Sequence, residues 1–244
     1  MLRISLLNVP IDVVTRTDAV DTIVQMLASS SQRHVMTPNS EMLVEAHRNK
    51  EFRRVLQQSD LNLPDSHGLL WAARYTGQCL PERVTGVDTV RELCKHLDAH
   101  TSVFLLGAGD GIAEKAAKKL QQKNPHLKIV GTFSGSPRQE DAEAIIQKIN
   151  AAKPHLLLVA YGAPAQDIWI ADHLKHMPSV RVAMGIGGTF DFIAGIQKRA
   201  PQILQKLGLE WMWRLVRQPS RLPRIFTAVV VFPLLVMHSR ARVQ

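Results

Sequence analysis

Two short, uninterrupted apolar runs constrain the fold of this chain more than any other feature. They are Val103–Gly107 and Leu156–Ala160. A strand carries such a run when both of its faces are buried, as in a parallel sheet that is covered by helices on both sides. Parallel neighbours need long crossover connections, so helical segments are expected between the strands along the chain.

Further β-rich runs alternate with amphipathic stretches through most of the sequence. The expected strands are Arg3–Leu7, His34–Thr37, Leu61–Leu63, Val103–Leu106, Lys128–Thr132, Leu156–Ala160 and Val180–Met184. The expected helices lie near 17–29, 39–57, 66–76, 88–99, 110–123, 138–152 and 164–175. This alternation predicts an α/β fold, with a Rossmann-like, mostly parallel sheet between two layers of helices.

The composition changes near residue 196, which predicts a core over 1–195 and a helical appendage over 196–244. Six of the nine net positive charges lie beyond residue 200. The charge-free stretch Ile225–Met237 has thirteen residues and contains Pro233. A membrane-crossing helix needs about 20 residues, so we expect an interfacial or buried helix that associates with a membrane surface. An appendage of this kind would favour self-association if it detached, so a homo-oligomer is a further expectation.

Acidic residues and the distribution of charge indicate the compartment and the class of partner. Asp12, Asp18 and Asp21 interrupt the apolar runs near the N-terminus, so no signal peptide is expected and the chain is predicted to be cytoplasmic. Cys79 and Cys94 form no CxxC pair and are expected to be free thiols.

A net charge of +9 favours an anionic partner. Nucleic acid is not expected, because aromatic residues make up only 5% and the charge is concentrated in the tail.

Polar residues that directly follow the expected strands are the first candidates for a site, because ligands of open α/β sheets bind at the carboxyl ends of strands. Thr37 and Asn39 follow the second strand and could point into a cleft, or Asn39 could simply cap the next helix. Asp65 follows the third strand. It could be the N-cap of a helix, or a general base that takes the proton from an attacking hydroxyl.

Glycine-rich turns follow three later strands. Gly107 and Gly109 form an incomplete dinucleotide fingerprint whose backbone N–H groups would suit a diphosphate. Gln166 could read a uracil edge or a sugar hydroxyl, or could be an exposed residue of a first helical turn. Gly187 permits a ligand to approach the backbone, and Asp191 either holds that loop or binds a hydroxyl. The sequence contains no DxD at a strand end and no other metal motif, so neither a metal nor a cofactor is expected.

Arginines recur at helical spacing in the appendage. On one helix, residues three and four positions apart share a face. The basic residues at this spacing are Arg214, Arg217, Arg221 and Arg224. They form either a solvated basic face or a clamp on a diphosphate, which guanidinium groups bind bidentately. Trp211 and Trp213 precede them and could lie at the level of a membrane interface.

Several segments together resemble the WecG/TagA/CpsF family of glycosyltransferases, family 26. They occur in order from about residue 8 to 225. The matching segments are Thr37-Pro-Asn-Ser-Glu-Met, Leu63-Pro-Asp-Ser-His-Gly, Glu82-Arg-Val-Thr-Gly-Val-Asp, Phe104-Leu-Leu-Gly, Gly162-Ala-Pro-Ala-Gln, Gly185-Ile-Gly-Gly-Thr-Phe-Asp, Lys198-Arg-Ala-Pro and Gly208-Leu-Glu-Trp-Met-Trp-Arg-Leu-Val-Arg-Gln-Pro-Ser-Arg.

The resemblance implies an inverting, metal-independent enzyme that acts at the inner face of the cell membrane. Such enzymes transfer an N-acetylmannosamine-type sugar from UDP to the 4-hydroxyl of GlcNAc on undecaprenyl diphosphate. It implies that Asp65 is the general base, with Thr37 beside it in the pocket, and that Arg83 and Gln166 contact the donor or its leaving diphosphate. The residues that it implies close over the site from the appendage are Arg214, Arg221 and Arg224.

Other donors and another class of enzyme remain open at this point. Members of the family also use UDP-N-acetylmannosaminuronic acid or UDP-glucose. Relatives usually carry Lys-Gln-Glu where this chain has Ala165-Gln166-Asp167, so a charge contact of that lysine is not expected here. The turn at Gly107 also leaves open an NAD-dependent oxidoreductase.

Overall fold

The computed structural model of the chain describes residues 1–241, except the side chains of Lys206, Arg214, Arg240 and Ala241. The strands are β1 (Arg3–Leu6), β2 (Val9–Asp12), β3 (Arg33–Met36), β4 (Leu61–Asn62), β5 (Ser102–Gly107), β6 (Lys128–Phe133), β7 (Leu156–Ala160) and β8 (Val182–Gly185). Strands β3 to β8 form one parallel sheet in the order β4-β3-β8-β7-β5-β6. The predicted α/β fold with a mostly parallel sheet is therefore confirmed.

Helices connect the strands and continue beyond the last one. They are α1 (Arg16–Ala28), α2 (Ser40–Arg48), α3 (Lys50–Gln58), α4 (His67–Tyr75), α5 (Gly86–His96), α6 (Ile112–Lys123), α7 (Gln139–Ala152), α8 (Ala165–His173), α9 (Thr189–Ala194), α10 (Gln202–Lys206), α11 (Glu210–Arg217), α12 (Leu222–Phe226) and α13 (Phe232–Ala241). Helices α10 to α13 belong to the expected appendage.

The two apolar runs become the neighbouring strands β5 and β7, as their composition predicts. Their side chains alternate between two layers, because successive residues of a strand point to opposite faces. Val103 and Leu105 pack in the cluster that includes residues of α1, α5, α6 and α9, whereas Phe104 and Leu106 pack with residues of α7 and α8. Helices thus cover both faces of the sheet.

Two local features differ from the expected elements. The N-terminal strand does not join the main sheet but pairs with β2 in an antiparallel hairpin. The helix expected over 39–57 is broken at Asn49, whose backbone is extended. Asn49 ends α2 with a bond from its N–H to the Glu45 carbonyl, and its side chain caps α3 by accepting from the Phe52 N–H at 3.0 Å. A residue that caps in both directions favours two short helices over one long helix.

The apolar tail forms a longer helix than its composition suggests. The helix runs from Pro219 to Ser239, 21 residues, and contains one π-helical turn over 227–231. In this turn the Phe232 N–H bonds to the Thr227 carbonyl five residues earlier, and the helix continues through Pro233. By length and composition alone, this is the one helix within residues 1–241 that could cross a membrane. The helix is therefore longer than the charge-free stretch of thirteen residues, and its expected association with a membrane surface stays a prediction.

One side of this C-terminal helix belongs to the core. Ile225, Phe232 and Val236 are buried, and the last two pack in a cluster with residues of α2, α3 and α4. Many of its other side chains are apolar and exposed. They include Leu222, Phe226, Val229, Val230, Leu234 and Met237.

Candidate active site

Four loops meet at one edge of the sheet and surround a cavity of about 420 Å³, here called the strand-end cavity. The loops follow β4, β3, β8 and β7, which are neighbours in that order, and the C-terminal helix closes the opposite side. Among its lining residues are Asp65, Thr37, Gly187, Gln166 and Arg221. The carboxyl ends of the parallel strands thus bring together residues that are far apart in the sequence, as expected for this class of sheet.

A second cavity, of about 460 Å³, lies between the core and the appendage and is here called the helix cavity. It has a polar end with Arg83 and Glu210, and an apolar wall that includes Trp71, Trp211 and Val229. The two cavities share part of their lining. The shared residues are Asn39, Glu41, Asp65, Val87 and Phe192. A ligand in one cavity therefore lies next to a ligand in the other.

Asp65 lies at the boundary of the two cavities. Its Oδ2 accepts a hydrogen bond of 3.1 Å from the backbone N–H of Gly86, the first residue of α5. The partial positive charge at this helix N-terminus stabilises a carboxylate. The alternative that Asp65 caps the following helix is wrong, because Ser66 is the N-cap of α4 and accepts from the Leu69 N–H. The carboxylate is thus oriented by α5, a helix that begins twenty-one residues later.

Thr37 and Asn39 both reach the cavity next to Asp65. The Thr37 hydroxyl is buried and donates to the Gly185 carbonyl at 3.2 Å, which joins the loops after β3 and β8. Asn39 caps α2, since its Oδ1 accepts from the Met42 N–H at 3.1 Å, and it also lines both cavities. The two alternatives for Asn39 are therefore compatible.

Gln166 is almost fully buried, with 2% of its surface exposed, and it joins two loops of the strand-end cavity. Its Oε1 accepts from the N–H groups of Gly162 and Gly187, at 3.0 and 2.9 Å. Gly187 has a positive φ of 53°, which favours glycine at this position. Because both glycine N–H groups bond to the amide oxygen, the Nε2 group is the part of this side chain that can still donate to a ligand, and the predicted contact of Gln166 with the donor stays a prediction.

Arg83 lines the helix cavity and forms an ion pair with Glu210 of the appendage, at 2.9 Å between Nη1 and Oε2. Both side chains are largely buried. His67 makes a second connection through a 2.9 Å hydrogen bond between its Nε2 and the Gln205 carbonyl. Burial lowers the pKa of His67, and the nearby charge of Arg83 adds to this shift. His67 is therefore a contact between core and appendage.

The appendage arginines reach the strand-end cavity from the side that the C-terminal helix closes. Arg221 and Arg224 line this cavity, and Arg224 pairs with Glu41 at 2.6 Å between Nε and Oε2. The side chain of Arg214 lies outside the described residues, so its predicted role stays a prediction. Another arginine, Arg199, pairs with Asp88 at the first turn of α5.

Asp191 lies in the first turn of α9 and is not among the described residues that line either cavity. Burial raises the pKa of its carboxyl group, while the charge of Arg221 acts in the opposite direction. Its backbone carbonyl accepts from the N–H groups of Ile196 and Gln197, which hold the turn after α9. Because a backbone carbonyl makes these contacts, they do not decide the role of the Asp191 side chain, and both alternatives stay predictions.

Among the residues that the structure describes, neither Gly107 nor Gly109 lines either cavity. A Cβ on Gly107 would lie 2.7 Å from the Ala160 backbone carbon, and φ at Gly107 is +102°. The glycine is thus required by the close approach of the β5 turn to β7. The predicted phosphate contact and the oxidoreductase alternative receive no support from this geometry.

Three acidic residues of the cavities were not identified from the sequence. Glu41 and Glu45 lie one helical turn apart on α2 and both line the strand-end cavity, so their spacing after Asn39 was a usable signal. Glu210 lies 127 residues from Arg83, and no local pattern indicates their pairing. In the part of the chain that the structure describes, no three His, Cys, Asp or Glu side chains cluster as a metal site.

The fold and the two cavities define an α/β protein with a ligand crevice at the carboxyl ends of its strands, next to a docked C-terminal helix. Comparison of the sequence with protein families gives a match over residues 4–244. The chain belongs to the glycosyl transferase WecG/TagA/CpsF family. The resemblance deduced from its motifs is therefore confirmed, and the chain is a hexosyltransferase.

Curated relatives agree with this membership over most of their length. A protein of Bacillus spizizenii strain W23 is 31% identical over 208 residues, which cover 85% of this chain and 80% of the relative. A protein of Staphylococcus aureus strain MRSA252 is 31% identical over 227 residues, which cover 91% and 88%. Both relatives are named N-acetylglucosaminyldiphosphoundecaprenol N-acetyl-beta-D-mannosaminyltransferase.

Proposed function

We propose that this enzyme transfers N-acetylmannosamine from UDP to the 4-hydroxyl of GlcNAc on undecaprenyl diphosphate, with inversion at the anomeric carbon. The names of the relatives support this acceptor and this sugar. The observation that carries the proposal is the position of Asp65, which lines both the strand-end cavity and the helix cavity. A base between two ligands can deprotonate the hydroxyl of one as that oxygen attacks the other.

In this reaction one bond forms and one bond breaks at the anomeric carbon of the donor sugar. The acceptor O4 forms a bond to the anomeric carbon, its proton passes to the Asp65 carboxylate, and the bond from the anomeric carbon to the UDP oxygen breaks. The Gly86 N–H holds the carboxylate in one orientation, so that it is positioned before the acceptor arrives. Arg221 and Arg224 line the cavity where the diphosphate would leave, and guanidinium groups stabilise the charge that develops there.

The donor is assigned to the strand-end cavity, because its glycine loops follow β7 and β8, where α/β sheets bind ligands. Its charged lining favours a neutral sugar over a uronic acid. The acidic lining residues are Glu41, Glu45 and Asp65, against the basic Arg221 and Arg224. Arg221 and Arg224 are assigned to the diphosphate, and among the described lining residues no further basic side chain remains to pair with a sugar carboxylate.

The acceptor is assigned to the helix cavity. Arg83 at its polar end suits a diphosphate, and the apolar wall with Trp71, Trp211 and Val229 suits the first part of a polyprenyl chain. This wall continues into the exposed apolar side chains of the C-terminal helix, which include Phe226. A lipid-linked acceptor could thus reach Asp65 without leaving the membrane surface.

We further propose that the protein lies on the inner face of the membrane with the C-terminal helix parallel to the surface. A helix that crossed the bilayer would have to give up the buried contacts of Phe232 and Val236 with the core. A parallel helix keeps these contacts and buries its exposed side chains in the interface. The same exposed surface would support self-association when no membrane is present.

A screen of UDP-sugars against a short-chain GlcNAc-diphospholipid tests this function. We expect turnover with UDP-N-acetylmannosamine, and much lower turnover with UDP-N-acetylmannosaminuronic acid and UDP-glucose. Preferred turnover of the uronic acid would contradict the donor assignment.

Flotation with anionic vesicles, followed by a wash at high pH, tests the membrane arrangement. A peripheral protein is released by this wash, whereas a protein with a membrane-crossing helix stays with the vesicles.

A further inference from the structure

A fully buried carboxylate lies directly behind Gln166. Asp167 has no exposed surface, and its Oδ2 lies 3.4 Å from Gln166 Nε2. Its Oδ1 lies 3.7 Å from Nε2 of His34, a buried residue of β3. Within the described residues, neither Asp167 Oδ1 nor His34 Nε2 has a hydrogen-bond partner.

Stability alone does not account for this carboxylate. Burying an acidic side chain costs free energy that is regained only with well-placed partners, and an apolar residue of similar size is often more stabilising. Here the hydrogen bond to Gln166 is long, and the imidazole of His34 is beyond hydrogen-bond distance. The carboxylate is best explained by what it does to the neighbouring amide.

Gly185 provides independent evidence that this arrangement is specific. A Cβ on Gly185 would lie 2.1 Å from Asp167 Oδ1 and 2.9 Å from Gln166 Nε2. The φ of Gly185 is not in the left-handed region, so backbone conformation does not require glycine there. The space beside the β8 backbone is instead occupied by the two side chains. The Gly185 carbonyl also accepts from Thr37, so the same strand end supports a residue next to Asp65.

We propose that Asp167 is a positioning residue that fixes the amide of Gln166 as a hydrogen-bond donor toward the donor substrate. The Gln166 oxygen is held by the N–H groups of Gly162 and Gly187, and one amide hydrogen is held by Asp167. The second amide hydrogen is then directed at an acceptor oxygen of the bound nucleotide-sugar. This inference rests on the proposed function, because the ligand of the strand-end cavity is taken to be the UDP-sugar.

Binding and kinetics of four variants test the inference: Asp167→Leu, Asp167→Asn, Gln166→Leu and the double variant Gln166→Leu/Asp167→Leu. The Kd for UDP-N-acetylmannosamine is measured by calorimetry, and donor KM and kcat by steady-state kinetics. Asp167→Leu should weaken donor binding about tenfold, as expected for one lost hydrogen bond. The kinetic loss of Asp167→Leu should divide between KM and kcat as the loss of Gln166→Leu does. The double variant should bind the donor no more weakly than Gln166→Leu. Asp167→Asn keeps an oxygen for the Gln166 amide and should bind the donor normally.

Two results would overturn the positioning role: normal donor binding by Asp167→Leu, or losses in the two single variants that add in the double variant. If Asp167→Leu does not fold, Asp167→Ala provides the same comparison, because the smaller side chain cannot overlap with Gly185. A purely structural role would lower the melting temperature and leave the Kd of the folded fraction unchanged. If the native protein binds no UDP-sugar, the proposed function fails, whereas normal binding by all variants refutes only the role of Asp167.

Discussion

Replacing Asp65 with Asn separates the proposed chemistry of this residue from its structural role. The Asn side chain has nearly the same shape, and its amide oxygen can keep the 3.1 Å hydrogen bond from the Gly86 N–H. The free energy of unfolding should therefore change by less than about 1 kcal/mol, the net contribution of one hydrogen bond. Turnover should fall by roughly a hundredfold or more, because an amide cannot accept the acceptor's proton. A hundredfold loss corresponds to about 2.7 kcal/mol of transition-state stabilisation.

The assay compares initial rates at saturating donor and acceptor with the Kd for UDP and the melting temperature. UDP binding should stay near the native value, since the loss lies in the chemical step. Asp110→Asn is a matched control, because Asp110 is an exposed carboxylate on the β5 turn. It should leave all three measurements unchanged. Near-native turnover of Asp65→Asn would refute the assignment of the general base, and a large loss of UDP binding would show that Asp65 acts in binding instead.

Three further predictions concern the appendage and the donor. Glu210→Gln removes the ion-pair partner of the Arg83 guanidinium. Since the pair is slightly exposed, we expect the free energy of unfolding to fall by about 2–3 kcal/mol. The loss is measured as a lower melting temperature and as faster proteolysis between residues 196 and 210. Phe226→Glu should weaken binding to anionic vesicles more than tenfold without changing the melting temperature, because this exposed apolar side chain is expected to enter the interface. Glu45→Gln should raise kcat/KM for the uronic-acid donor by roughly fivefold relative to the neutral donor, through about 1 kcal/mol of relieved repulsion.

Each of these predictions has a control and a contradicting result. Glu210→Asp keeps the charge and should lose less stability than Glu210→Gln. Equal losses would mean that the charge of Glu210 does not cause the loss of stability. Phe226→Leu should retain vesicle binding, and unchanged binding by Phe226→Glu would place the membrane contact elsewhere. Glu45→Asp should keep the donor preference of the native enzyme. If Glu45→Gln also keeps it, the acidic lining does not select the sugar.

Much of the fold follows from local sequence patterns. The apolar runs of β5 and β7 require burial on both faces, and a helix-covered parallel sheet meets this requirement. Polar residues after the strands then lie at one edge by geometry, which is why Thr37, Asp65 and Gln166 could be predicted to line a common cavity. The family motifs depend on the same local segments, so membership of the family was also readable from the sequence.

Other features depend on contacts between distant segments and could not be predicted. The glycines at 107 and 109 resemble a ligand loop, but Gly107 is required by the approach of β5 to β7, and neither glycine is among the described residues that line the two cavities. The side-chain amide oxygen of Gln166 accepts hydrogen bonds from two loop N–H groups, which changes what this residue can offer a ligand. The length of the C-terminal helix depends on the π-helical turn before Pro233, a feature that composition does not indicate.

The sequence by itself determined the α/β class, the family and the set of polar residues at the strand ends, because hydrophobic periodicity and turn residues act over a few neighbouring positions. Only the tertiary structure decided which partners those residues have: Gly86 for Asp65, Glu210 for Arg83 and Asp167 for Gln166. The first two pairings join helices and loops of different parts of the chain. The third depends on a buried space beside β8 that exists only after the strands have packed.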